Sequence, residues 1–88
     1  MTHDVSIVGL GRVGLPLALA FADRGLRVLG VDTDTDRVAA VRDGRMPFHE
    51  TAAQEVLDRV AGAGMLELSS RVADAAQAES IVLTLGTP

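Results

Sequence analysis

Four residues in the first half of the chain have the types and the spacing of a nucleotide-binding site. Gly9, Gly11 and Gly14 form the pattern G-x-G-x-x-G, and Asp32 follows the last of these glycines by 18 residues. In dinucleotide-binding units this pattern follows a strand, opens a helix and is succeeded by an acidic residue about 20 positions later. A β-branched run at 5–8 precedes the pattern here and an apolar helical segment follows it. The spacing therefore predicts a dinucleotide site.

Each glycine has a separate physical role in this pattern. Gly9 permits a tight turn after the strand, Gly11 lets the backbone approach a pyrophosphate, and Gly14 lets the helix pack closely on the strand. The helix that begins here offers free N–H groups and a partial positive charge to the phosphates. The alternative is a glycine-rich turn that serves packing alone.

Asp32 ends the second predicted strand, where a carboxylate accepts hydrogen bonds from the hydroxyls of an adenosine ribose. A carboxylate at this place repels a 2′-phosphate, so NAD is favoured over NADP. The alternative role of Asp32 is that of a strand-end acid that caps the next helix. For Asp34 and Asp36 that alternative is preferred, and both are expected to be helix caps or solvated acids.

Alternating strands and helices are expected to position these residues. Apolar and β-branched runs predict strands at 5–8, 27–31, 65–68 and 81–85. Apolar periodicity, cap residues and glycine stops predict helices at 13–24, 36–42, 50–61 and 72–78. Strands joined by helices pair in parallel through right-handed crossovers. The fold class is therefore α/β, a doubly wound parallel sheet of four strands in the order 3-2-1-4, incomplete at its C-terminal side.

The composition excludes several classes of function. With 88 residues the chain is one domain at most, and its net charge of −4 argues against nucleic-acid binding. It contains no Cys and no Lys, which excludes thiolate metal sites, a Cys nucleophile and a Schiff-base lysine. Two His residues are too few for a histidine metal site, so no metal is expected. No apolar run approaches the ~20 residues of a membrane span, and a cytoplasmic protein is expected.

The residue types and order in several segments resemble those of one known family, the UDP-glucose/GDP-mannose dehydrogenases. The similar segments are G-L-G-R-V-G-L-P-L-A at 9–18, G-V-D at 30–32, Gly44 with Pro47 and Glu50, and G-T-P at 86–88. The resemblance covers the chain, 1–88, as the N-terminal part of an NAD-binding domain of the Rossmann type. The family oxidises the C6 hydroxyl of a nucleotide sugar to a carboxylate with two molecules of NAD.

The resemblance also implies a role for each residue of a cofactor site. The pyrophosphate of NAD would lie on the glycine turn, which consists of Gly9, Leu10, Gly11, Arg12, Val13 and Gly14. Asp32 and Arg37 would hold the adenosine ribose, and Thr87 would lie beside the nicotinamide end. Without the family, Arg37 is interpreted as a solvated helix residue. Many members carry an aromatic residue where this chain has Arg12, whose guanidinium is able to contact phosphates.

Catalysis by this chain alone is not expected. Members of the family use a Cys nucleophile and a Lys, and this sequence contains neither. The expected function is the NAD-binding portion of a nucleotide-sugar 6-dehydrogenase whose catalytic residues lie beyond this chain. His49 and Glu50 invite an acid–base role, but no third group orients them, so they are expected to be loop and helix-start residues.

Two other functions stay open at this point. One is a free-standing dinucleotide-binding or regulatory module without catalysis, which also needs no Cys or Lys. The other is a dehydrogenase of the β-hydroxyacid type, which shares the glycine turn. The segment with Gly44, Pro47 and Glu50 and the terminal G-T-P argue against this second alternative.

The last predicted strand, 81–85, is apolar and has no strand beyond it in the order 3-2-1-4. Natural proteins normally cover or charge such an edge. We therefore expect self-association through this strand, or a partner chain that completes the sheet.

Overall fold

A computed structural model describes residues 3–84 of the chain, which contain four strands, three α-helices and one 3-10 helix. The strands are β1 (His3–Val8), β2 (Val28–Val31), β3 (Leu66–Ser69) and β4 (Ala78–Leu83). The α-helices are α1 (Gly14–Asp23), α2 (Thr35–Arg42) and α3 (Ala53–Gly62), and the 3-10 helix Val72–Gln77 precedes β4.

The four strands are parallel and lie in the order β3-β2-β1-β4, which confirms the predicted α/β fold and strand order. At the carboxyl end of the sheet, Val8 pairs with Val31 on one side and with Leu83 on the other. The direction of winding reverses between β1 and β4. In open α/β sheets this reversal leaves a crevice at the carboxyl ends of the two strands, where ligands bind.

Two faces of the sheet are covered by different elements. The larger core lies beneath α1 and α3, and its strand residues are Val5, Ile7, Val28 and Leu66. The helices contribute buried side chains to this core, namely Leu15, Ala18, Leu19, Ala22, Val41, Leu57 and Val60. On the opposite face, Leu29 and Val31 pack with Ala75 of the 3-10 helix. The alternation of side chains along each strand therefore separates the two cores.

The segment predicted as an alanine-rich α-helix, 72–78, is a 3-10 helix of 6 residues, so that prediction was wrong. The carbonyl oxygen of Ala75 accepts the hydroxyl of Ser6 at 2.9 Å and the N–H of Ala78, three residues further on. Ala78 already belongs to β4, where it pairs with His3. The strand therefore begins three residues before the predicted Ile81 and ends the helical segment at Gln77.

Helix α3 begins at Ala53, three residues after its predicted start at Glu50. Ala52 has a φ of +63°, in the left-handed region that a right-handed helix does not include. Both His49 and Glu50 are exposed in the loop before it, and the carbonyl oxygen of Glu50 accepts the N–H of Ala53 at 3.1 Å. The loop prediction is confirmed for His49, whereas Glu50 lies outside the helix.

Strand β4 forms an edge of the sheet and presents apolar side chains to solvent. Ile81 is 49% exposed and Leu83 is 70% exposed. The predicted exposed apolar edge is thus confirmed within the part of the strand that the structure describes.

Residues 3–84 contain no helix that is long and apolar enough to cross a membrane. Within the same residues no group of three or more His, Cys, Asp or Glu side chains is arranged to hold a metal ion.

Candidate functional site

The glycine turn, residues 9–14, connects the carboxyl end of β1 to α1. Gly9 has a φ of +100°, which a residue with a Cβ rarely adopts. Its N–H donates to the carbonyl oxygen of Val31 at 2.8 Å, so the turn begins while the chain is still bonded to β2. The N–H of Leu15 donates to the carbonyl oxygen of Gly11 at 3.0 Å and closes the first turn of the helix.

The space around the glycines differs between Gly11 and Gly14. A Cβ on Gly14 would overlap the carbonyl oxygen of Gly9 and would lie 2.7 Å from Oγ1 of Thr84. A Cβ on Gly11 would meet no atom of the described residues within 4 Å. Gly14 therefore serves close packing between helix and strand, as predicted, and Gly11 faces open space that a ligand can enter.

Three backbone donors of the glycine turn have no acceptor among the described residues. The N–H groups of Gly11, Arg12 and Val13 donate to no acceptor in residues 3–84. Val13 occupies the N-cap position of α1 without a side-chain capping bond, and the first turn of the helix carries no acidic residue. Free N–H groups at a helix N-terminus, with the positive end of the helix dipole, favour an anion.

Asp32 lies beside the glycine turn at the end of β2. Its Oδ2 accepts the N–H of Leu10 at 2.7 Å, and its Oδ1 accepts the N–H of Asp34 at 2.8 Å. The first bond joins the carboxylate to the glycine turn, and the second fixes the carboxylate against the backbone that leads to α2. The carboxylate is thereby held in one orientation next to the open side of the turn.

The ionised form of Asp32 is favoured in the folded protein. Burial by itself raises the pKa of this carboxyl, but the N–H groups of Asp34 and Leu10 and the guanidinium of Arg37 outweigh that effect. The net result is a pKa below the ordinary value of an aspartate. Asp32 therefore presents a negative charge, which accepts hydrogen bonds from hydroxyl groups and repels a phosphate.

Arg37 of α2 faces this carboxylate. Its Nη1 lies 3.4 Å from Oδ2 of Asp32, and its Nη2 lies 3.9 Å from Oδ2 of Asp34. The interpretation of Arg37 as a merely solvated helix residue is therefore wrong. The short connection from β2 into the first turn of α2 brings a cation and an anion to the same edge of the sheet.

The capping role falls to Asp34. Its Oδ1 accepts the N–H groups of Asp36 and Arg37, each at 3.1 Å, at the N-terminus of α2. The capping prediction for Asp34 is confirmed, and the alternative that Asp32 caps this helix is wrong. Asp36 lies exposed in the first turn of the helix, as a solvated acid.

Three members of the glycine turn present different groups to their surroundings. The side chain of Leu10 is fully buried in the core, so only its backbone belongs to the surface of the turn. Val13 is 69% exposed. The Arg12 guanidinium is also exposed, and its Cζ lies 5.1 Å from the centroid of the Phe48 ring. Thr87, which the resemblance places beside the nicotinamide end, lies outside the described residues.

Thr84 supports the site, although the sequence analysis gave it no role. Its hydroxyl lies 2.8 Å from the carbonyl oxygen of Gly9 and 3.1 Å from that of Val8, and its N–H donates to Val8 at 2.9 Å. Thr84 follows β4 as Gly9 follows β1, on the two sides of the crevice. A polar residue at the end of a strand beside the reversal point was the signal available in the sequence.

Phe48 was also missed, because nothing in the sequence brings the loop between α2 and α3 to the glycine turn. The ring is half-buried and packs against the larger core. Its partner Arg12 is 36 positions away in the chain, and only the packing of α3 against α1 brings them together.

The arrangement fits a dinucleotide. Gly11 leaves free the space that a Cβ would fill, and three backbone N–H groups of the turn have no acceptor among residues 3–84, so they are available to an anion. An ionised carboxylate and a guanidinium lie at the end of the neighbouring strand, where ribose hydroxyls are bound in such folds.

The sequence model of the "UDP-glucose/GDP-mannose dehydrogenase family, NAD binding domain" matches residues 3–88. The chain belongs to this family. Its residues 3–88 correspond to the NAD-binding domain of the nucleotide-sugar dehydrogenases, and NAD is the cofactor of that domain.

Individual relatives agree with this assignment. A UDP-glucose 6-dehydrogenase of Haloferax volcanii is 36% identical over 85 residues, which are 97% of this chain and 20% of the relative. A GDP-mannose 6-dehydrogenase of Pseudomonas syringae is 32% identical over 85 residues, 96% of this chain and 19% of the relative. The solved structure of a UDP-glucose dehydrogenase from Pyrobaculum islandicum covers the whole chain with a TM-score of 0.92 at 32% identity, and the chain covers 21% of that structure.

The chain thus spans about a fifth of the length of the relatives it matches. These relatives act on different nucleotide sugars by their names, and the segment they share with this chain is the domain that binds NAD.

Proposed function

We propose that this chain is the NAD-binding portion of a nucleotide-sugar 6-dehydrogenase, and that the glycine turn binds the pyrophosphate of NAD. The hydrogen bond from Leu10 N–H to Asp32 carries the proposal, because it fixes a carboxylate beside the free donors of the turn. The free N–H groups of Gly11, Arg12 and Val13, unbonded within residues 3–84, donate to the phosphate oxygens. Gly9 and Gly14 shape the turn without entering the space of the ligand.

Asp32 and Arg37 hold the adenosine ribose in this proposal. A carboxylate offers about four acceptor positions, and the bonds from Leu10, Asp34 and Arg37 engage three of them. The contact from Arg37 is the longest of these, at 3.4 Å, so it is the one that yields when a ribose hydroxyl donates to Oδ2. The guanidinium then turns its donors to the sugar oxygens. Thr87, by resemblance, lies at the nicotinamide end.

NAD supplies the hydride acceptor when it is bound, and the residues of this chain bind and orient it. The oxidation of a UDP- or GDP-sugar at C6 needs a nucleophile and a base that we place in the rest of the parent protein. The nucleotide sugar is accordingly a partner of that longer protein. Two observations support placing the catalytic nucleophile outside this chain: the chain matches the NAD-binding domain of the family, and its sequence contains no Cys.

Calorimetric titration of the protein with NAD and with NADP tests the proposal. Saturable binding of NAD with clearly weaker binding of NADP is expected, because the Asp32 carboxylate repels a 2′-phosphate. NADP binding as tight as that of NAD contradicts the role of Asp32. Absence of any binding contradicts the proposed cofactor function of this chain.

A second candidate is a free-standing, non-catalytic NAD-binding or regulatory module. The same site serves it equally, because binding of NAD by the glycine turn, Asp32 and Arg37 requires no catalytic residue. The reading frame that follows the codon of Pro88 separates the two, since a downstream domain with a Cys supports the dehydrogenase. A cytoplasmic location is part of both proposals and is tested by fractionating cells.

A further inference from the structure

Arg12 is a cation in the glycine turn whose charge no carboxylate of the described residues neutralises. Within residues 3–84 it takes part in no ion pair, and its guanidinium lies over the ring of Phe48 with Cζ 5.1 Å from the ring centroid. Four other arginines pair with carboxylates, namely Arg27, Arg37, Arg45 and Arg59, whereas Arg24, Arg42 and Arg71 take part in no ion pair among the described residues. An aromatic ring attracts a guanidinium but leaves its net charge and its in-plane donors available.

The Phe48 ring is held in place independently of Arg12. It packs against the larger core, which lies beneath α1 and α3. The loop that carries it is fixed by Gln54 of α3, whose Nε2 donates to the carbonyl oxygen of Gly44 at 2.7 Å and whose Oε1 accepts the N–H of Met46 at 3.1 Å. The ring is therefore a fixed platform, and the long side chain of Arg12 adapts to it.

The surroundings of Arg12 favour an anion. The guanidinium belongs to the same turn as the free N–H groups of Gly11 and Val13, and the first turn of α1 carries no acid. These positive groups repel one another in the absence of a ligand. Contact with the ring partly offsets this repulsion and restricts the side chain, which reduces the conformational entropy that Arg12 loses when it contacts a ligand.

We propose that Phe48 is a positioning residue for cofactor binding, which holds the Arg12 guanidinium at the open side of the glycine turn so that it donates to the pyrophosphate. This inference rests on the proposed function, because it takes the turn as the pyrophosphate site. It assigns a role to the loop between α2 and α3, which otherwise has no part in the site.

A double-mutant cycle on NAD affinity tests the pairing. Calorimetry at low and at high salt is performed on the wild type, Arg12→Ala, Phe48→Leu and the double variant. Arg12→Ala is expected to raise the Kd for NAD about tenfold at low salt and to reduce its salt dependence, since a charge-assisted contact to phosphate is lost. Phe48→Leu is expected to raise the Kd about two- to fivefold. The double variant is expected to bind no more weakly than Arg12→Ala alone, because the ring acts through the guanidinium.

Three controls isolate the effect. Phe48→Tyr keeps the ring and is expected to retain wild-type affinity. Arg24→Ala removes the same charge at the C-terminal end of α1, where Arg24 makes no ion pair within the described residues, and is expected to leave the Kd unchanged. Adenosine, which lacks phosphate, is expected to bind all variants equally.

The outcomes are separable. Additive losses in the double variant, or an unchanged Kd in Arg12→Ala with NAD still bound by the wild type, overturn the pairing and leave the proposed function standing. A loss of adenosine binding in Phe48→Leu assigns that residue to folding alone and likewise overturns the inference. Failure of the wild type to bind NAD removes the proposed function itself.

Discussion

The backbone N–H of Leu10 donates to Oδ2 of Asp32 at 2.7 Å, across 22 positions of sequence. This bond joins the glycine turn after β1 to the acid after β2. The Leu10 side chain points into the core, where it is fully buried, while its N–H faces the carboxylate. The two halves of the candidate site are therefore held in a fixed relation by one residue that no ligand needs to touch.

Replacement of Asp32 is expected to weaken NAD binding. Asp32→Ala removes the ionised acceptor of the ribose hydroxyls, which is expected to weaken NAD binding by roughly 1–3 kcal/mol. The preference for NAD over NADP is expected to decrease at the same time, because the repelling charge is gone. Titration calorimetry with both cofactors measures this. Asp36→Ala, which removes an exposed acid from α2, is the matched control, and equal losses in the two variants would contradict a specific role for Asp32.

The stability of the protein is expected to fall in acid partly because of Asp32. The folded pKa of this carboxyl is depressed, so its stabilising contribution is fully present above about pH 4, the unfolded value, and is lost as the pH falls through the folded pKa. The difference in unfolding free energy between the wild type and Asp32→Asn should therefore be constant from neutral pH to about pH 5 and should shrink below about pH 4. Urea unfolding at a series of pH values measures the difference. A difference that does not shrink in acid argues against this linkage.

Gly11 and Gly14 are expected to respond differently to the same substitution. Gly14→Ala places a Cβ on the carbonyl oxygen of Gly9 and should lower both stability and NAD affinity. Gly11→Ala meets open space among the described residues, so it should leave the thermal midpoint nearly unchanged while the new methyl group blocks the approach of the pyrophosphate.

Thermal unfolding and NAD titration distinguish these two effects. Gly62→Ala, in α3 with no described atom near the added Cβ, is the control and should stabilise the protein by about 0.4–1 kcal/mol. Full NAD affinity in Gly11→Ala would show that the ligand does not approach this side of the turn.

Turnover of nucleotide sugars by the 88-residue chain is not expected. The sequence offers no Cys to capture an aldehyde intermediate and no Lys to act as a base. During incubation with NAD and UDP-glucose or GDP-mannose, the NADH absorbance should rise no faster than in a control without the protein. Steady NADH production by the pure chain would show that it contains catalytic groups, and would refute the proposal that these groups lie in the rest of the parent protein.

Self-association through β4 is expected at high protein concentration. Ile81 and Leu83 extend an exposed apolar surface at the sheet edge, where unpaired backbone groups accept a further strand. Sedimentation velocity over a concentration series should show association in the wild type and a reduced tendency in Leu83→Lys, since a charge on an edge strand discourages pairing. A wild-type monomer at all concentrations would contradict the prediction.

The sequence by itself determined the order of the elements and the place of the site, because both depend on local patterns. The turn of Gly9, Gly11 and Gly14 must follow a strand, and the parallel order 3-2-1-4 follows from short right-handed crossovers. Only the tertiary structure decided the contacts between segments that are distant in sequence. The Ser6 hydroxyl, which bonds the carbonyl of Ala75, accompanies a 3-10 helix where local propensity favoured an α-helix.

The contrast between local patterns and long-range contacts also explains which residues of the site could be predicted from the sequence. Asp32 and the glycines were identified because their spacing along the chain is characteristic. Thr84 and Phe48 reach the glycine turn across 75 and 36 positions, through the pairing of β4 with β1 and the packing of α3 on α1. Such contacts depend on how buried surfaces fit together, and no short pattern in the sequence encodes them.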